Sequence, residues 1–147
     1  LTLVAPGGFG PEINHRLLRR FAAATDEHEI HSLLEQFFGF EKPVPLAAAR
    51  RIAEIRRDPR VPTTLATIAE AILDGERQKS FDLARLADLP HGVRLIWGDQ
   101  DRVLPLGQTR GVPGVVAVHV FPGVGHMPHL EVAREVTRLV AESAAAD

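Results

Sequence analysis

Apolar residues along this chain follow two patterns, short dense runs and longer stretches with helical spacing. The short runs cover residues 1–5, 93–97 and 115–120, and each contains one polar residue. Short apolar runs bounded by Gly, Pro or Asp predict buried strands. Between the first two runs, apolar residues recur at intervals of three and four, which predicts amphipathic helices.

Four helical segments are predicted between the first and second strands. Asn14 is a candidate N-cap of the first, and Asp26 followed by Glu29 resembles a capping box at the second. Pro45 and Pro62 suit the first turns of the third and fourth. The apolar stripes expected to face inward are Leu17, Leu18 and Phe21; Ile30, Leu33, Leu34, Phe37 and Phe38 up to Gly39; Leu46, Ile52 and Ile55; and Leu65, Ile68, Ile72 and Leu73.

The order of the predicted elements defines the fold class. A short helix precedes the second strand, one helix separates the second strand from the third, and a last helix begins near His129. That last helix carries Leu130, Val132, Val136, Leu139 and Val140. Strands that alternate with helices imply an α/β fold with a parallel sheet and right-handed crossovers.

Composition narrows the class of protein. The chain has 147 residues, of which 45% are hydrophobic and 24% charged, typical of one globular domain. The net charge of -2 gives no bulk attraction to nucleic acid or to an anionic membrane. No apolar run approaches the roughly 18 residues of a membrane span. The sequence has no cysteine, which is typical of a reducing compartment, so we predict a cytoplasmic protein with no nucleic-acid or membrane partner.

Candidate catalytic residues follow the second and third strands. The second strand runs into Gly98-Asp99-Gln100-Asp101, and the third leads to Gly125-His126. Open α/β sheets build their sites at this edge. A carboxylate can hold one imidazole nitrogen and leave the other as a general base. We therefore predict an acid–histidine pair of Asp101 and His126, with Asp99 as the rival acid.

These motifs resemble those of the α/β-hydrolase fold family. The residues concerned are Ile96-Trp97-Gly98-Asp99-Gln100-Asp101 with Pro105, and Gly123-x-Gly125-His126. The resemblance implies a partial α/β-hydrolase fold, with the last three parallel strands and a helical cap inserted after the first of them. Residues 1–147 would be the C-terminal part of one such domain, with 11–78 as cap and 1–10 and 79–147 as core. The family's acid stands third after the glycine, which favours Asp101.

A narrower resemblance involves residues 6–14, 118–120 and 125–129. These segments are similar to the hydrolase-like domain that follows a lipoyl domain in the dihydrolipoamide acetyltransferase component of acetoin dehydrogenase. The resemblance implies ester or thioester hydrolysis, or acyl transfer, on a small-molecule ester or acyl substrate without cofactor or metal.

The family's nucleophile is missing from the sequence. It stands in Gly-x-Ser-x-Gly at a strand-to-helix turn upstream of the cap, and none of Ser32, Ser80 and Ser143 has that context. We expect the chain to supply the acid and histidine of a Ser-His-Asp triad whose serine lies elsewhere. The alternative is a non-catalytic accessory or interaction domain of a multienzyme dehydrogenase complex. A Gly-x-Ser-x-Gly motif upstream in the parent gene would favour the enzyme.

The first predicted strand begins at Leu1, without a basic signal segment before it. We therefore expect a piece of a longer protein. The strand edge and apolar surface left open would pair with the N-terminal half of the fold or drive self-association.

Three further motifs have simpler interpretations. His28 and His31 are spaced i and i+3, whereas the zinc helix motif needs i and i+4, so no metal is expected. The loop at 7–10 lacks both GxGxxG and a Lys-Ser/Thr pair, so dinucleotide binding is not expected. Arginines between 50 and 60 are either a solvated helix face or a site for an anionic partner. In the third helix, we expect Arg50, Arg51, Arg56 and Arg57 to point largely outward.

Other side chains have both a structural and a functional interpretation. His119 lies within a strand and is expected to be structural, whereas His129 is a helix residue or a substrate contact. Leu34, Phe37 and Phe38 are either cap core or the lining of an acyl pocket.

Overall fold

The computed structural model describes residues 1–145. Ala146 and Asp147, which end the range predicted as core, lie outside the described residues. The elements in chain order are β1 (Thr2–Val4), α1 (His15–Ala23), α2 (Glu27–Leu34), α3 (Leu46–Ile55), α4 (Arg60–Ile72), β2 (Leu73–Asp74), β3 (Arg77–Gln78), β4 (Arg94–Gly98), β5 (Ala117–Phe121), α5 (Pro128–Glu131) and α6 (Ala133–Ala145). Two 3₁₀ helices cover Leu83–Asp88 and Leu106–Gly111. Within residues 1–145, no helix combines the length and the apolar character needed to cross a membrane.

The main sheet has three parallel strands in the order β1-β4-β5. Leu3 lies opposite Leu95, and Ile96 lies opposite His119. The short strands β2 and β3 form a separate antiparallel pair. The predicted α/β class is confirmed: a partial fold with three parallel strands and a helical segment inserted after the first. Each predicted strand is found, with its ends shifted by one or two residues.

The central strand β4 divides the core between two faces. Successive side chains of a strand point to opposite faces. Leu95 and Trp97 join the large cluster formed with the inserted helices, whereas Ile96 packs on Val136 and Leu139 of α6. All three β4 side chains are fully buried. Truncating one of them to alanine would cost about 2–5 kcal/mol, because a cavity would remain.

Polar side chains begin α1 and α2 as predicted. The Asn14 side chain accepts from the N–H of Leu17 at 3.1 Å, and Asp26 accepts from the N–H of Glu29 at 2.9 Å. The Glu29 carboxylate contacts Arg20 at 3.3 Å. The Asp26 cap is therefore present, while Glu29 makes a surface ion pair.

The predicted extension of α2 to Phe38 is wrong, because the helix ends at Leu34. The N–H of Phe37 donates to Leu34 O at 2.8 Å, a tightened turn. The carbonyls beyond it accept distant donors: Phe37 O accepts from the N–H of His126, and Phe38 O from the Arg102 guanidinium. Phe37 and Phe38 are nevertheless buried, as predicted. Contacts with other loops therefore end the helix before its apolar pattern ends.

The orientation predicted for α3 is right for Ile52, which packs on the core, and wrong for Leu46, Ile55 and Arg56. Leu46 is 70% exposed and Ile55 is exposed as well, whereas Ala49 is buried. Arg56, predicted to point largely outward, is only 5% exposed. Its guanidinium donates to the carbonyl of Ala24 at 2.5 Å, just after α1, and lies 4.6 Å from the Phe21 ring centroid. This burial lowers the pKa of Arg56. A cation at a helix C-terminus offsets the helix dipole, which explains the inward side chain.

The α4 stripe faces α1 and is less buried than predicted. Ile68 and Ile72 are partly exposed and line a cleft of about 110 Å³ with Phe21 and other α1 residues. The predicted last helix is broken at Val132, where the backbone adopts φ -136° and ψ 51°. Leu130, before this break in α5, is exposed, and so is Val140, because α6 packs on Ile96 through Val136 and Leu139.

Candidate active site

Asp101 and His126 meet at the carboxyl ends of β4 and β5. The Asp101 Oδ2 atom lies 2.9 Å from His126 Nδ1, the distance expected for a hydrogen bond. A carboxylate can only accept, so this contact requires the proton on Nδ1. That tautomer leaves the lone pair on Nε2, the nitrogen that would act as a base.

Burial and backbone contacts fix the Asp101 carboxylate. Its side chain is fully buried, and its Oδ1 atom accepts from the N–H groups of Val103 and Leu104, each at 2.8 Å. A buried carboxylate must be hydrogen-bonded to offset its lost hydration. The His126 side chain is 19% exposed, so the pair combines an enclosed acid with an accessible imidazole.

The rival acid Asp99 points elsewhere. Its Oδ1 atom accepts from the N–H of Gly123 at 2.8 Å, on an exposed part of the loop. Asp99 therefore ties the β4 loop to the β5 loop, while Asp101 contacts the imidazole.

Glycines allow the His126 loop to pack directly on other backbone. A Cβ on Gly125 would lie 2.5 Å from the carbonyl carbon of Phe38, and one on Gly39 would lie 2.1 Å from Gly123 O. Real Cβ atoms essentially never come so close. Both positions therefore require glycine, because two backbone segments pass too close to each other for a side chain. This explains why a glycine precedes the predicted histidine.

The segment after α2 is bound to both candidate loops. The His126 N–H donates to Phe37 O at 2.7 Å, and the Phe37 ring lies 5.8 Å from the imidazole centroid. Arg102 donates to Phe38 O at 2.8 Å, donates to Glu35 O and stacks on Phe40. Its buried Nε has no hydrogen-bond partner among the described residues. The structure thus joins the inserted helices to the loops that carry the acid and the histidine.

Sequence reasoning missed Glu131. Its carboxylate accepts from the N–H groups of Gly125 at 3.0 Å, Met127 at 3.3 Å and Gly39 at 2.8 Å. The sequence signal was weak, since a glutamate in an amphipathic helix usually faces water. No motif in the sequence linked Glu131 to the backbone around His126.

Four other histidines were considered from the sequence, and none of them is hydrogen-bonded to Asp101 or His126. His119 sits in β5, where burial, reinforced by Arg94, lowers its pKa. His129 is exposed on α5, and His28 is exposed on α2. His31 lies 3.8 Å from Glu35. Among residues 1–145, no group of three or more His, Cys, Asp or Glu side chains could hold a metal ion.

The glycine loop and the apolar cap residues have structural contacts. The Gly8 N–H, a candidate phosphate donor, is taken by the side-chain oxygen of Gln78 at 3.0 Å. Leu34, Phe37 and Phe38 belong to the large core cluster. Five clefts on the described surface are lined by residues other than Asp101, His126 and these three.

The serines lie in different parts of the structure, all outside a strand-to-helix turn. Ser32 is within α2, and Ser80 follows β3. Ser143 donates to Leu139 O and accepts from Thr2 at the start of β1, the opposite end of the sheet from His126.

Comparisons with known proteins agree with this architecture. A model of the Alpha/beta hydrolase family matches residues 1–139. The dihydrolipoyllysine-residue acetyltransferase component of the acetoin cleaving system of Cupriavidus necator is 27% identical over 140 residues. The corresponding component of Pseudomonas putida is 30% identical over 138 residues. The matches cover 95% and 94% of this chain but only 37% and 36% of those two relatives.

Solved structures show the same fold. A meta-cleavage product hydrolase from Pseudomonas fluorescens superposes with a TM-score of 0.79 at 19% identity, over 99% of this chain and 55% of that one. A 2-hydroxy-6-oxo-6-phenylhexa-2,4-dienoate hydrolase from Rhodococcus gives a TM-score of 0.78 at 22% identity, over 98% and 54%. The predicted resemblance to the hydrolase family, and to the acetyltransferase component, is confirmed. Since the family model matches nearly the whole sequence, the chain belongs to the alpha/beta hydrolase family.

Proposed function

We propose that this chain supplies the acid and the base of a Ser-His-Asp triad for ester or thioester hydrolysis, or acyl transfer. Asp101 is the acid and His126 the base. The observation that carries the proposal is the 2.9 Å contact between Asp101 Oδ2 and His126 Nδ1 beside an otherwise satisfied, buried carboxylate.

The chemistry follows from this geometry. His126 Nε2 takes the proton of a serine hydroxyl while the serine oxygen attacks the acyl carbon. The imidazolium that forms is stabilised by Asp101. His126 Nε2 then returns the proton to the leaving alkoxide or thiolate, and the acyl group stays on the serine. In the second step His126 Nε2 takes the proton of water, or of an acceptor thiol or alcohol, while its oxygen or sulfur attacks the acyl carbon. The bond from the acyl carbon to the serine oxygen then breaks, and the same nitrogen returns the proton to that oxygen.

The serine belongs, in this proposal, to a part of the fold outside these 147 residues. Support comes from the comparison structures, of which the chain covers about half. In the same hypothesis the chain is the C-terminal part of one hydrolase domain, residues 11–78 form its cap, and the protein is cytoplasmic.

The names of the curated relatives favour an acyl group as substrate. Both are dihydrolipoyllysine-residue acetyltransferase components of acetoin cleaving systems. We propose a small acyl thioester or ester as the substrate class. The same names also favour the second candidate function, a non-catalytic accessory domain within such a complex.

The test compares three variants of the full-length protein with p-nitrophenyl acetate and an acetyl thioester as probes. Asp101→Asn should lower kcat by about 10⁴-fold and His126→Ala by about 10⁶-fold, the scales of the equivalent changes in serine proteases. Asp99→Asn is the matched control, because it makes the same chemical change two residues away from the acid. It keeps an acceptor for Gly123 and should retain activity. If the wild-type protein turns over neither probe, the accessory-domain function is favoured.

A further inference from the structure

The Glu131 carboxylate lies where the His126 loop meets the segment after α2. Both of its oxygens lie 3.0 Å from the N–H of Gly125. Its Oε1 also accepts from Met127 at 3.3 Å, and its Oε2 accepts from Gly39 at 2.8 Å. Gly125 and Met127 are the two chain neighbours of His126. One side chain therefore holds the backbone on both sides of the imidazole.

We propose that Glu131 is a positioning residue for His126. It acts through the backbone, by fixing where the imidazole stands relative to Asp101 and to a bound acyl group. The inference rests on the proposed function, in which His126 is the general base.

A carboxylate suits this position because all its partners are donors. An ionised carboxylate only accepts, and its hydrogen bonds to N–H groups are stronger than those of a neutral acceptor. An amide would carry an NH₂ group on one side. Since Oε1 and Oε2 each face two N–H contacts, either orientation of a glutamine would set its donor against a backbone donor.

The same carboxylate accepts from Gly39 of the inserted segment. Glu131 therefore holds that segment and the backbone on both sides of His126 at once. The loop cannot make up for a lost anchor by shifting toward the segment, because a side-chain Cβ at Gly125 would already lie 2.5 Å from the Phe38 carbonyl carbon and the His126 N–H is already bonded to Phe37 O at 2.7 Å. A loop released by Glu131 would therefore move away from the segment, and we expect this movement to disturb the alignment of His126 with Asp101. A displacement of about 1 Å at a reacting group can cost about 10²-fold in rate.

The experiment uses the full-length protein with p-nitrophenyl acetate as probe. Glu131→Gln should lower kcat by between about tenfold and 10²-fold with KM nearly unchanged. The matched control is Glu135→Gln. Glu135 lies in the first turn of α6 and is exposed. This control should keep wild-type kcat and KM.

Nitrogen-15 NMR of histidine-labelled full-length protein provides the second measurement. Glu131→Gln should lower the fraction of His126 that carries its proton on Nδ1, well below the melting temperature. A purely structural role would lower the melting temperature and leave both the tautomer and kcat at wild-type values. That result would overturn the inference.

Two further variants keep the outcomes distinct. If Glu131→Gln does not fold, Glu131→Asp takes its place; it keeps the charge but withdraws it by one methylene, and it should show a smaller loss of kcat. His126→Ala tests the proposed function separately. If it retains full activity, the proposed function fails, and the tautomer measurement alone decides the positioning role of Glu131.

Discussion

The backbone N–H of His126 donates to the carbonyl oxygen of Phe37 at 2.7 Å. Phe37 follows α2, so this bond joins the inserted helical segment to the loop that carries the histidine. Its ring also lies beside the imidazole. The position of the proposed base therefore depends on the inserted segment as well as on Asp101. A change that separates the two loops should disturb the site without touching either side chain of the pair.

Gly125→Ala tests the close packing between this loop and the inserted segment. The added methyl group would overlap the Phe38 carbonyl carbon, so the inserted segment must move away. Overpacking of this kind destabilises proteins by about 1–3 kcal/mol. Gly107→Ala is the matched control, because a Cβ there meets no atom within 4 Å. It should change the free energy of unfolding by less than about 0.5 kcal/mol. Equal urea midpoints for the two variants would contradict the close approach of Gly125 to the Phe38 backbone.

The 147-residue chain on its own should show no esterase activity. Its serines lie on α2, after β3 and beside Thr2, and none of them contacts His126. Loss of the nucleophile lowers turnover by about 10⁶-fold in worked triad enzymes. The measurement is hydrolysis of p-nitrophenyl acetate by the purified chain, compared with its His126→Ala variant. Hydrolysis well above background that disappears in the variant would show a nucleophile within these residues.

Local patterns predicted the elements of this fold well. The caps at Asn14 and Asp26 depend on residues three positions away, so the sequence alone was enough to place them. The three strands follow from short apolar runs, and the acid–histidine contact follows from the motifs at the ends of two of them. The distinction between Asp101 and Asp99 came from a family pattern, and the geometry agrees with it.

Errors arose where a distant partner overrides local periodicity. Phe37 and Phe38 continue the α2 pattern, but their carbonyls bind donors from other loops. Arg56 turns inward to the C-terminus of α1, whereas a helical arginine is usually expected in water. Glu131 was overlooked for the same reason, since its three backbone partners lie in two loops. Such contacts have no periodic signature in the sequence.

His119 should make stability depend on pH in a defined direction. Its pKa is lowered, mainly by burial and then by Arg94, so the folded chain binds a proton less readily than the unfolded chain. Stability should therefore fall as the pH drops through the ordinary histidine pKa of about 6.5, and level off below the folded-state pKa.

The measurement for this prediction is urea unfolding at pH 7.5 and 5.5, for wild type and His119→Gln. Carboxyl groups contribute equally to both proteins, so the difference between the two slopes isolates His119. The variant should lose less stability on acidification. Identical losses in the two proteins would contradict a lowered pKa.

The open edge of β1 leads to the last prediction. Within the described residues, β1 pairs with β4 on one side and has no strand on the other. Leu1 O accepts from the backbone N–H of Arg94, and the Ala5 N–H donates to Ile96 O. In a parallel ladder alternate residues bond the same neighbour, so the backbone groups of Thr2 point to the open side. An exposed strand edge is a template for another chain.

The isolated 147-residue chain should therefore associate as its concentration rises. Thr2→Pro removes the outward N–H at a strand start, where proline is tolerated, and should weaken association. Thr2→Val is the matched control: it loses the hydroxyl bond to Ser143 but keeps the N–H, and should associate like wild type. Sedimentation velocity over a tenfold concentration range is the measurement. A monomer throughout that range, with β1 amides protected from hydrogen exchange, would show that the chain closes this edge by itself.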